Sequence, residues 1–152
     1  MKFFIQRVKE SSVEIESEIF SKIGKGYLVL VGITDSDTKE IADKMLQKLI
    51  GLRIFEDENG KTNLSIKDVN GDLLMVSQFT LYADCKKGNR PSFIKAGNPA
   101  YANEMYQYIL NKAQELYGKE IYAGQFGADM KIALVNDGPF SIMLDSDEII
   151  AS

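Results

Sequence analysis

The sequence contains no histidine, and this absence narrows the chemistry open to the chain. A serine or cysteine catalytic triad needs an imidazole base, and the HExxH zinc motif needs two histidine ligands. A zinc deaminase site needs histidine or several cysteines, whereas the chain has one cysteine, Cys85. If this protein is a hydrolase, it therefore works without the usual general base.

Other absences bear on where the chain works. A lone cysteine excludes an internal disulfide and suits a reducing cytoplasm. No apolar run approaches the roughly 20 residues that a membrane span needs. Gln6 and Arg7 interrupt the first apolar stretch too early for a signal peptide. We therefore predict a cytoplasmic protein with no membrane partner.

The charge balance bears on nucleic-acid binding. The net charge of −4 argues against extended contact with nucleic acid, because lysine and arginine drive phosphate binding. A local exception is a stretch with no acidic residue that contains Lys86, Lys87, Arg90 and Lys95. We interpret it either as a patch for a short stretch of RNA or as a solvated loop, and charge alone does not separate the two. We expect no DNA partner.

Apolar runs and turn residues predict several short strands and two helices. The first helix is expected from an N-cap at Asp37 to Gly51, and the second from Asn98, with Pro99 at its first position, to Gly118. The predicted strands cover residues 3–8, 13–23, 27–33, 52–55, 72–82, 120–123, 130–135 and 140–144. Short connections between successive strands favour antiparallel pairing. We predict one α+β domain over residues 1–152, with mainly antiparallel, curved or barrel-like sheets flanked by two main helices.

The predicted strand 72–82 changes character part-way along. An apolar run ends, and Ser77, Gln78 and Thr80 then supply three hydrogen-bonding side chains within four residues. Without histidine, neither hydroxyl is readily activated as a nucleophile, so the set fits better as donors aimed at an oxyanion. Such donors are worth about 3–4 kcal/mol each, which suffices only for a reactive bond such as an activated ester. The alternative is that these side chains cap a strand edge.

A second unusual stretch is Asn136-Asp137-Gly138-Pro139, which lies between two apolar runs. Asn-Asp-Gly is enough for a hairpin turn between the predicted strands 130–135 and 140–144. Pro139 then begins the second strand without an N–H to donate. A plain hairpin therefore leaves the proline unexplained.

The two motifs together resemble those of the bacterial D-aminoacyl-tRNA deacylase family. The likeness rests on Ser77–Thr80 with the LYADCKKGNRPSF that follows, and on Asn136–Pro139. Colinear matches occur at Ile5-Gln6-Arg7-Val8, at GLRIFEDE (51–58) and at residues 124–130, so the likeness runs from Met1 to Leu144.

The resemblance implies a cytoplasmic homodimer that hydrolyses the ester between a D-amino acid and the 3′ end of tRNA, with no metal and no cofactor. The catalytic residues that it implies, around the scissile ester, are Ser77, Gln78, Phe79 and Thr80. The substrate-binding residues that it implies are Gly138, Pro139, Arg7, Asn136, Phe126 and Met130.

The Gly138–Pro139 peptide bond is implied to be cis, held by Arg7, and inserted into the partner subunit's active site as a chirality filter. Proline makes this accessible, because it lowers the preference for trans to about 0.5–1 kcal/mol. Main-chain carbonyls there would bind the α-ammonium and leave no room for the Cβ of an L-amino acid. Glycine has no Cβ, so we also predict hydrolysis of glycyl-tRNA. Phe126 and Met130 fall where the family contacts the terminal adenosine.

We expect substrate-assisted hydrolysis, in which the ribose 2′-hydroxyl helps water to attack, N–H groups near Phe79 stabilise the oxyanion, and Ser77 and Thr80 position the substrate. Phe140-Ser141 departs from the small aliphatic residue and threonine that usually follow Gly-Pro, which puts the dimensions of the pocket in doubt. Two alternatives remain: a non-catalytic dimeric tRNA-binding module that uses the Lys86–Lys95 patch, and a structural module in which residues 134–144 form a dimerising hairpin.

Overall fold

Strand β1 (Lys2–Ile15) is central to the fold in the computed structural model, which describes residues 1–150. The elements that follow are β2 (Glu18–Ile23), β3 (Gly26–Gly32), α1 (Lys39–Gly51), β4 (Phe55–Glu56), β5 (Thr62–Leu64), β6 (Asp72–Ser77), a 3-10 helix (Phe79–Tyr82), α2 (Pro99–Tyr117), β7 (Tyr122–Ala123), β8 (Lys131–Asp145) and α3 (Ser146–Ile149). Within residues 1–150, none of the helices combines the length and the apolarity needed to cross a membrane.

The main sheet is mixed and nearly closed. β1 pairs antiparallel with β3 and then β2 along one edge, and with β8 along the other. β3 pairs parallel with β6, and β6 pairs parallel with β7. The hydroxyl of Ser21 in β2 donates to the carbonyl of Ala123 in β7 at 2.8 Å, which brings the two ends of the sheet together. The predicted α+β class with a barrel-like sheet is confirmed.

The preference for antiparallel pairing is wrong for the two parallel pairs. Parallel neighbours need a long crossover, usually a helix. α1 lies in the connection between β3 and β6, and α2 lies in the connection between β6 and β7. Short connections favour antiparallel pairing only where no helix intervenes. β3 and β6 are not consecutive strands, and β6 and β7 are consecutive but are separated by the long helix α2.

Both faces of the sheet are apolar. Successive side chains of a strand point to opposite faces, so each strand contributes residues to both. One face packs against α1 and α2 in the larger core, which includes Phe3, Tyr27, Val29, Leu73 and Met75. The other lines the inside of the curve and includes Val8, Val13, Leu28, Leu74 and Val76. Burial on both faces explains why β3 and β6 have continuous apolar sequences.

The cap residues predicted for the two main helices are right for α2 and partly wrong for α1. α2 has the predicted N-cap Asn98, Pro99 in its first turn and a left-handed C-cap at Gly118. For α1, the predicted N-cap Asp37 is wrong. Thr38 is the N-cap, and its hydroxyl accepts from the N–H of Ile41. The Asp37 carboxylate instead accepts from the Met1 ammonium and from the N–H of Thr34, both at 2.8 Å.

Several predicted strands have different boundaries, and of the predicted strands 52–55 and 120–123 only Phe55 and Tyr122–Ala123 are strand. The stretch 13–23 contains a turn at Glu16 and Ser17, both with positive φ, between β1 and β2. The stretch 72–82 is a strand only to Ser77 and then becomes the 3-10 helix. Residues 130–135 and 140–144 are not two arms of a hairpin, because β8 continues through both. The last two differences decide the geometry of the candidate site.

Candidate functional site

A cavity of about 840 Å³ opens at the end of β6, where the strand passes into the 3-10 helix. Ser77 and Gln78 are half-buried in its wall, whereas Phe79 is 56% exposed. The other residues that line it are Ile33, Asp35, Val76, Phe93, Ile94, Ala96, Gly97, Asn98, Pro99, Ala102, Phe126, Gly127, Ala128, Asp129, Met130 and Ile132. The cavity thus brings together segments that are distant along the chain.

Hydrogen bonds hold the polar segment in this position. The Gln78 N–H donates to the carbonyl of Val31 in β3 at 2.8 Å, which continues the parallel pairing for one more residue. The Gln78 side-chain amide donates to the Thr80 hydroxyl. The first N–H groups of a helix have no partner within it, and here they belong to Phe79 and Thr80. The segment therefore presents main-chain donors together with the hydroxyls of Ser77 and Thr80.

Phe126 and Met130 belong to the opposite wall. Phe126 lies against the ring of Tyr106, with 6.1 Å between ring centroids. The Tyr106 hydroxyl donates to the carbonyl of Met75 at 2.6 Å and so ties this wall to β6. Gly124 lets Met130 approach, because a Cβ at position 124 would lie 2.6 Å from the Met130 Sδ. Burial raises the pKa of Tyr106, so its hydroxyl stays protonated and acts as a donor.

The cavity offers hydrogen-bond donors and apolar surface rather than a general base. The charged residues in its lining are the two carboxylates Asp35 and Asp129. Asp35 accepts from the N–H of Asn98 at 2.7 Å, and Asp129 pairs with Lys131 at 2.9 Å. Within residues 1–150 no group of three His, Cys, Asp or Glu side chains is placed to hold a metal ion. This arrangement can bind the aromatic ring of a nucleobase against its apolar surface and stabilise an oxyanion.

The Asn136–Pro139 motif lies in a bulge of β8 that projects opposite Arg7. Gln6 pairs with Ser141 and Val8 pairs with Asn136, so residues 137–140 face the single residue Arg7. We call residues 137–140 the bulge. Gly138 and Pro139 are exposed at its tip, and their peptide bond is cis.

Arg7 supports the bulge through its guanidinium group. The Arg7 Nε donates to the Asp137 carbonyl at 2.9 Å, and its Nη1 donates to the buried Ile54 carbonyl at 2.6 Å. The guanidinium lies 4.5 Å from the centre of the Phe140 ring. Arg7 is only 6% exposed, so a buried charge is satisfied by two carbonyls and an aromatic face.

Asn136 closes the bulge through its amide. Its Oδ1 accepts from the N–H of Phe140 at 2.6 Å, and its Nδ2 donates to the hydroxyl of Ser141 at 3.0 Å. Nδ2 also lies 3.2 Å from the Gln6 Oε1. Phe140, which departs from the family pattern, thus supplies both an N–H for Asn136 and a ring for Arg7.

The ten predicted site residues fall into two groups. Ser77, Gln78, Phe79, Phe126 and Met130 line the cavity, and Thr80 follows on the same 3-10 helix. Arg7, Asn136, Gly138 and Pro139 form or support the bulge and do not line the cavity of their own chain. Sequence reasoning missed the contribution of residues 93–94, 96–99 and 127–129, since no local pattern indicates which loop covers a strand end.

The comparisons with known proteins identify the family of the chain. The family model described as D-Tyr-tRNA(Tyr) deacylase matches residues 4–145, which contain the 3-10 helix, the far wall and the bulge. The chain belongs to this family. The resemblance inferred from the two motifs is therefore confirmed, and with it the prediction of a deacylase enzyme.

Curated relatives of this deacylase family are similar over nearly their full length. A D-aminoacyl-tRNA deacylase of Flavobacterium psychrophilum is 53% identical over 146 residues, which cover 96% of this chain and 97% of the relative. One of Thermosipho africanus is 48% identical over 149 residues, with 98% and 99% coverage.

Solved structures are similar in fold. A structure described as c-Myc DNA unwinding element binding protein has a TM-score of 0.90 at 40% identity, covering 95% of this chain and 98% of its own. A probable eukaryotic D-amino acid tRNA deacylase has a TM-score of 0.84 at 15% identity, over 94% of this chain and 97% of its own. The second likeness supports the fold alone.

Proposed function

We propose that this protein hydrolyses the ester between a D-amino acid and the 3′-terminal adenosine of tRNA, in the cavity at the end of β6. The observation that carries the proposal is the union of Ser77–Phe79 with Phe126 and Met130 around one cavity of about 840 Å³. The volume lies within the usual range for small-molecule sites. Its apolar far wall suits an adenine, and its polar near wall suits an ester.

The chemistry follows from which groups are present. Water attacks the ester carbonyl carbon, and the adjacent ribose 2′-hydroxyl assists by hydrogen bonding. The cavity lining contains no histidine or lysine, and its two carboxylates, Asp35 and Asp129, are engaged by the Asn98 N–H and by Lys131. The N–H groups of Phe79 and Thr80 stabilise the tetrahedral oxyanion. When the oxyanion collapses, the bond to the ribose 3′-oxygen breaks, and that oxygen takes the proton that water loses.

Thr80 acts as a positioning group in this scheme. Its hydroxyl already accepts from the Gln78 amide, and among the described residues no hydrogen bond joins it to a carboxylate or a lysine. Thr80→Ala should therefore lower kcat/KM for D-tyrosyl-tRNA by less than about tenfold. Complete loss of activity would instead indicate a threonine nucleophile.

We further propose that the protein is a homodimer in which each bulge completes the cavity of the partner. β8 pairs with β1 along one edge only, and long exposed strand edges are usually covered. Val135 and Met143 on β8 are 46% and 43% exposed. The bulge is exposed at Gly138 and Pro139 and does not line the cavity of its own chain, which supports the same conclusion.

A mixing experiment tests the cross-subunit arrangement. Gly138→Ala alters the bulge, because its Cβ would lie 2.6 Å from the Phe140 nitrogen. Ala128→Trp fills the cavity. Each variant is expected to be inactive alone, whereas a refolded mixture forms hetero-dimers with one intact composite site and recovers part of the activity. A mixture that stays inactive although hetero-dimers are detected by native mass spectrometry contradicts the arrangement.

Matched D- and L-tyrosyl-tRNA test the function itself. Multiple-turnover release of the D-amino acid alone supports a chirality-selective deacylase. Binding without turnover supports the alternative of a non-catalytic tRNA-binding module. If neither turnover nor binding is observed, only the structural module remains. Glycyl-tRNA should be hydrolysed at high enzyme concentration, and complete resistance would count against a purely steric filter. Location in the cytoplasm and the absence of a DNA partner stay predictions.

A further inference from the structure

A basic finger projects beside the cavity, and the chemistry proposed above does not use it. We define the finger as residues 85–91, between the 3-10 helix and α2. Its base is closed by two main-chain hydrogen bonds between Asp84 and Ser92, at 2.7 and 2.8 Å. Every residue of the finger is exposed. It contains Lys86, Lys87 and Arg90 and no acidic residue.

The three cations have no partner within the part of the chain that the structure describes. The lysines in its ion pairs are Lys95, Lys112, Lys119 and Lys131. Asp84 is the nearest carboxylate along the chain, and it is occupied by the N–H of Lys86 at 3.0 Å and by the Lys95 ammonium at 3.5 Å. The finger therefore presents uncompensated positive charge on a chain whose net charge is −4.

The base of the finger is attached to the rim of the cavity. Phe93 and Ile94, directly after the closing residue Ser92, line the cavity. The Phe93 ring packs edge-on against Phe79, with 5.1 Å between centroids. The hydrogen bond from the Lys86 N–H is the main cause that holds the pKa of Asp84 below its ordinary value, so the carboxylate at the base of the finger keeps its charge and its contacts in mildly acidic solution as well as at neutral pH.

We propose that the finger binds the phosphates of the nucleotides that precede the terminal adenosine of tRNA. This inference rests on the proposed function, because a terminal nucleoside in the cavity leaves its own 5′-phosphate, and the phosphates before it, at the rim. A closed finger of this length extends about 10 Å from its base at roughly 3.3 Å per residue. Such a reach places its cations along the emerging strand, where lysine and arginine contribute affinity without reading sequence.

The test compares a polyphosphate substrate with a phosphate-free one. The finger variant is Lys86→Gln/Lys87→Gln/Arg90→Gln. The control variant, Lys44→Gln/Lys48→Gln/Lys61→Gln, removes the same charge at exposed residues that do not line the cavity. The substrates are D-tyrosyl-tRNA and 3′-O-D-tyrosyl-adenosine, each assayed from 50 to 200 mM NaCl.

For tRNA, the finger variant should raise KM about tenfold at 50 mM NaCl with kcat nearly unchanged. The slope of log KM against log salt should fall by about 2, since each lost contact to a single strand removes about 0.7. On the nucleoside ester, the finger variant should match the wild type. The control variant should keep the KM of the wild type on both substrates and most of the salt dependence on tRNA.

Two results would overturn the inference: an equal loss on both substrates, which means that the finger shapes the cavity, or no loss on either. Fluorescence anisotropy with uncharged tRNA separates this failure from failure of the proposed function. Weaker binding by the finger variant supports phosphate binding by the finger even if the wild type hydrolyses neither ester. Identical binding by the wild type and both variants contradicts phosphate binding by the finger even if hydrolysis is normal.

Discussion

Asn136→Ala tests whether the ordered bulge is what distinguishes D- from L-amino acids. The substitution removes the Oδ1 that accepts from the Phe140 N–H at 2.6 Å and the Nδ2 that donates to the Ser141 hydroxyl at 3.0 Å. A buried donor left without a partner costs about 1–3 kcal/mol. Phe140 is half-buried, and water can partly replace the lost partner. We therefore expect the bulge to lose about 1–2 kcal/mol, equivalent to a factor of about 5–30 in an equilibrium.

The loss should appear as reduced selectivity more than as reduced stability. The ratio of kcat/KM for D-tyrosyl-tRNA to that for L-tyrosyl-tRNA is expected to fall by about 5- to 30-fold, because a mobile bulge no longer excludes the L-configured Cβ. Asn136→Asp is the matched control, since it keeps an acceptor for the Phe140 N–H and should retain more selectivity. Hydrogen exchange at Phe140 gives an independent measure of order in the bulge. If exchange accelerates while selectivity is unchanged, the reasoning is refuted.

Three other substitutions probe the framework. Arg7→Met removes two charge-assisted hydrogen bonds and should lower the free energy of unfolding by about 3 kcal/mol or more, as measured by urea titration. Gly26→Ala places a Cβ 1.9 Å from a backbone oxygen and should destabilise the fold by about 2 kcal/mol or more, whereas Gly24→Ala, with nothing within 4 Å, should be neutral. Tyr106→Phe should lower the free energy of unfolding by only about 0.5–1.5 kcal/mol, because the Met75 carbonyl still accepts a hydrogen bond from the Gly124 N–H at 3.3 Å. A loss above about 3 kcal/mol in a urea titration would contradict this reasoning.

The resemblance to the family could be recognised from two short motifs and the colinear matches along the chain, but the spatial relation of the two motifs could not. Nothing local indicates that Ser77–Phe79 meets Phe126 and Met130, which reach the cavity only because β6 pairs with β7 and Gly124 admits a large side chain. Nor does the sequence show that the bulge is excluded from its own cavity. That result depends on β8 continuing past Pro139 along β1.

Local physics by itself determined much of this protein. Asn98, Pro99 and Gly118 mark the ends of α2 because caps are formed by side chains and backbone within one turn. The continuous apolar runs of β3 and β6 likewise required strands buried on both faces. Only the tertiary structure decided that Thr38 rather than Asp37 caps α1, since the distant Met1 ammonium takes the Asp37 carboxylate. It also placed the Asn136–Pro139 motif at a bulge within one strand rather than at a hairpin turn, because strand register is set by the partner strand and not by the turn residues.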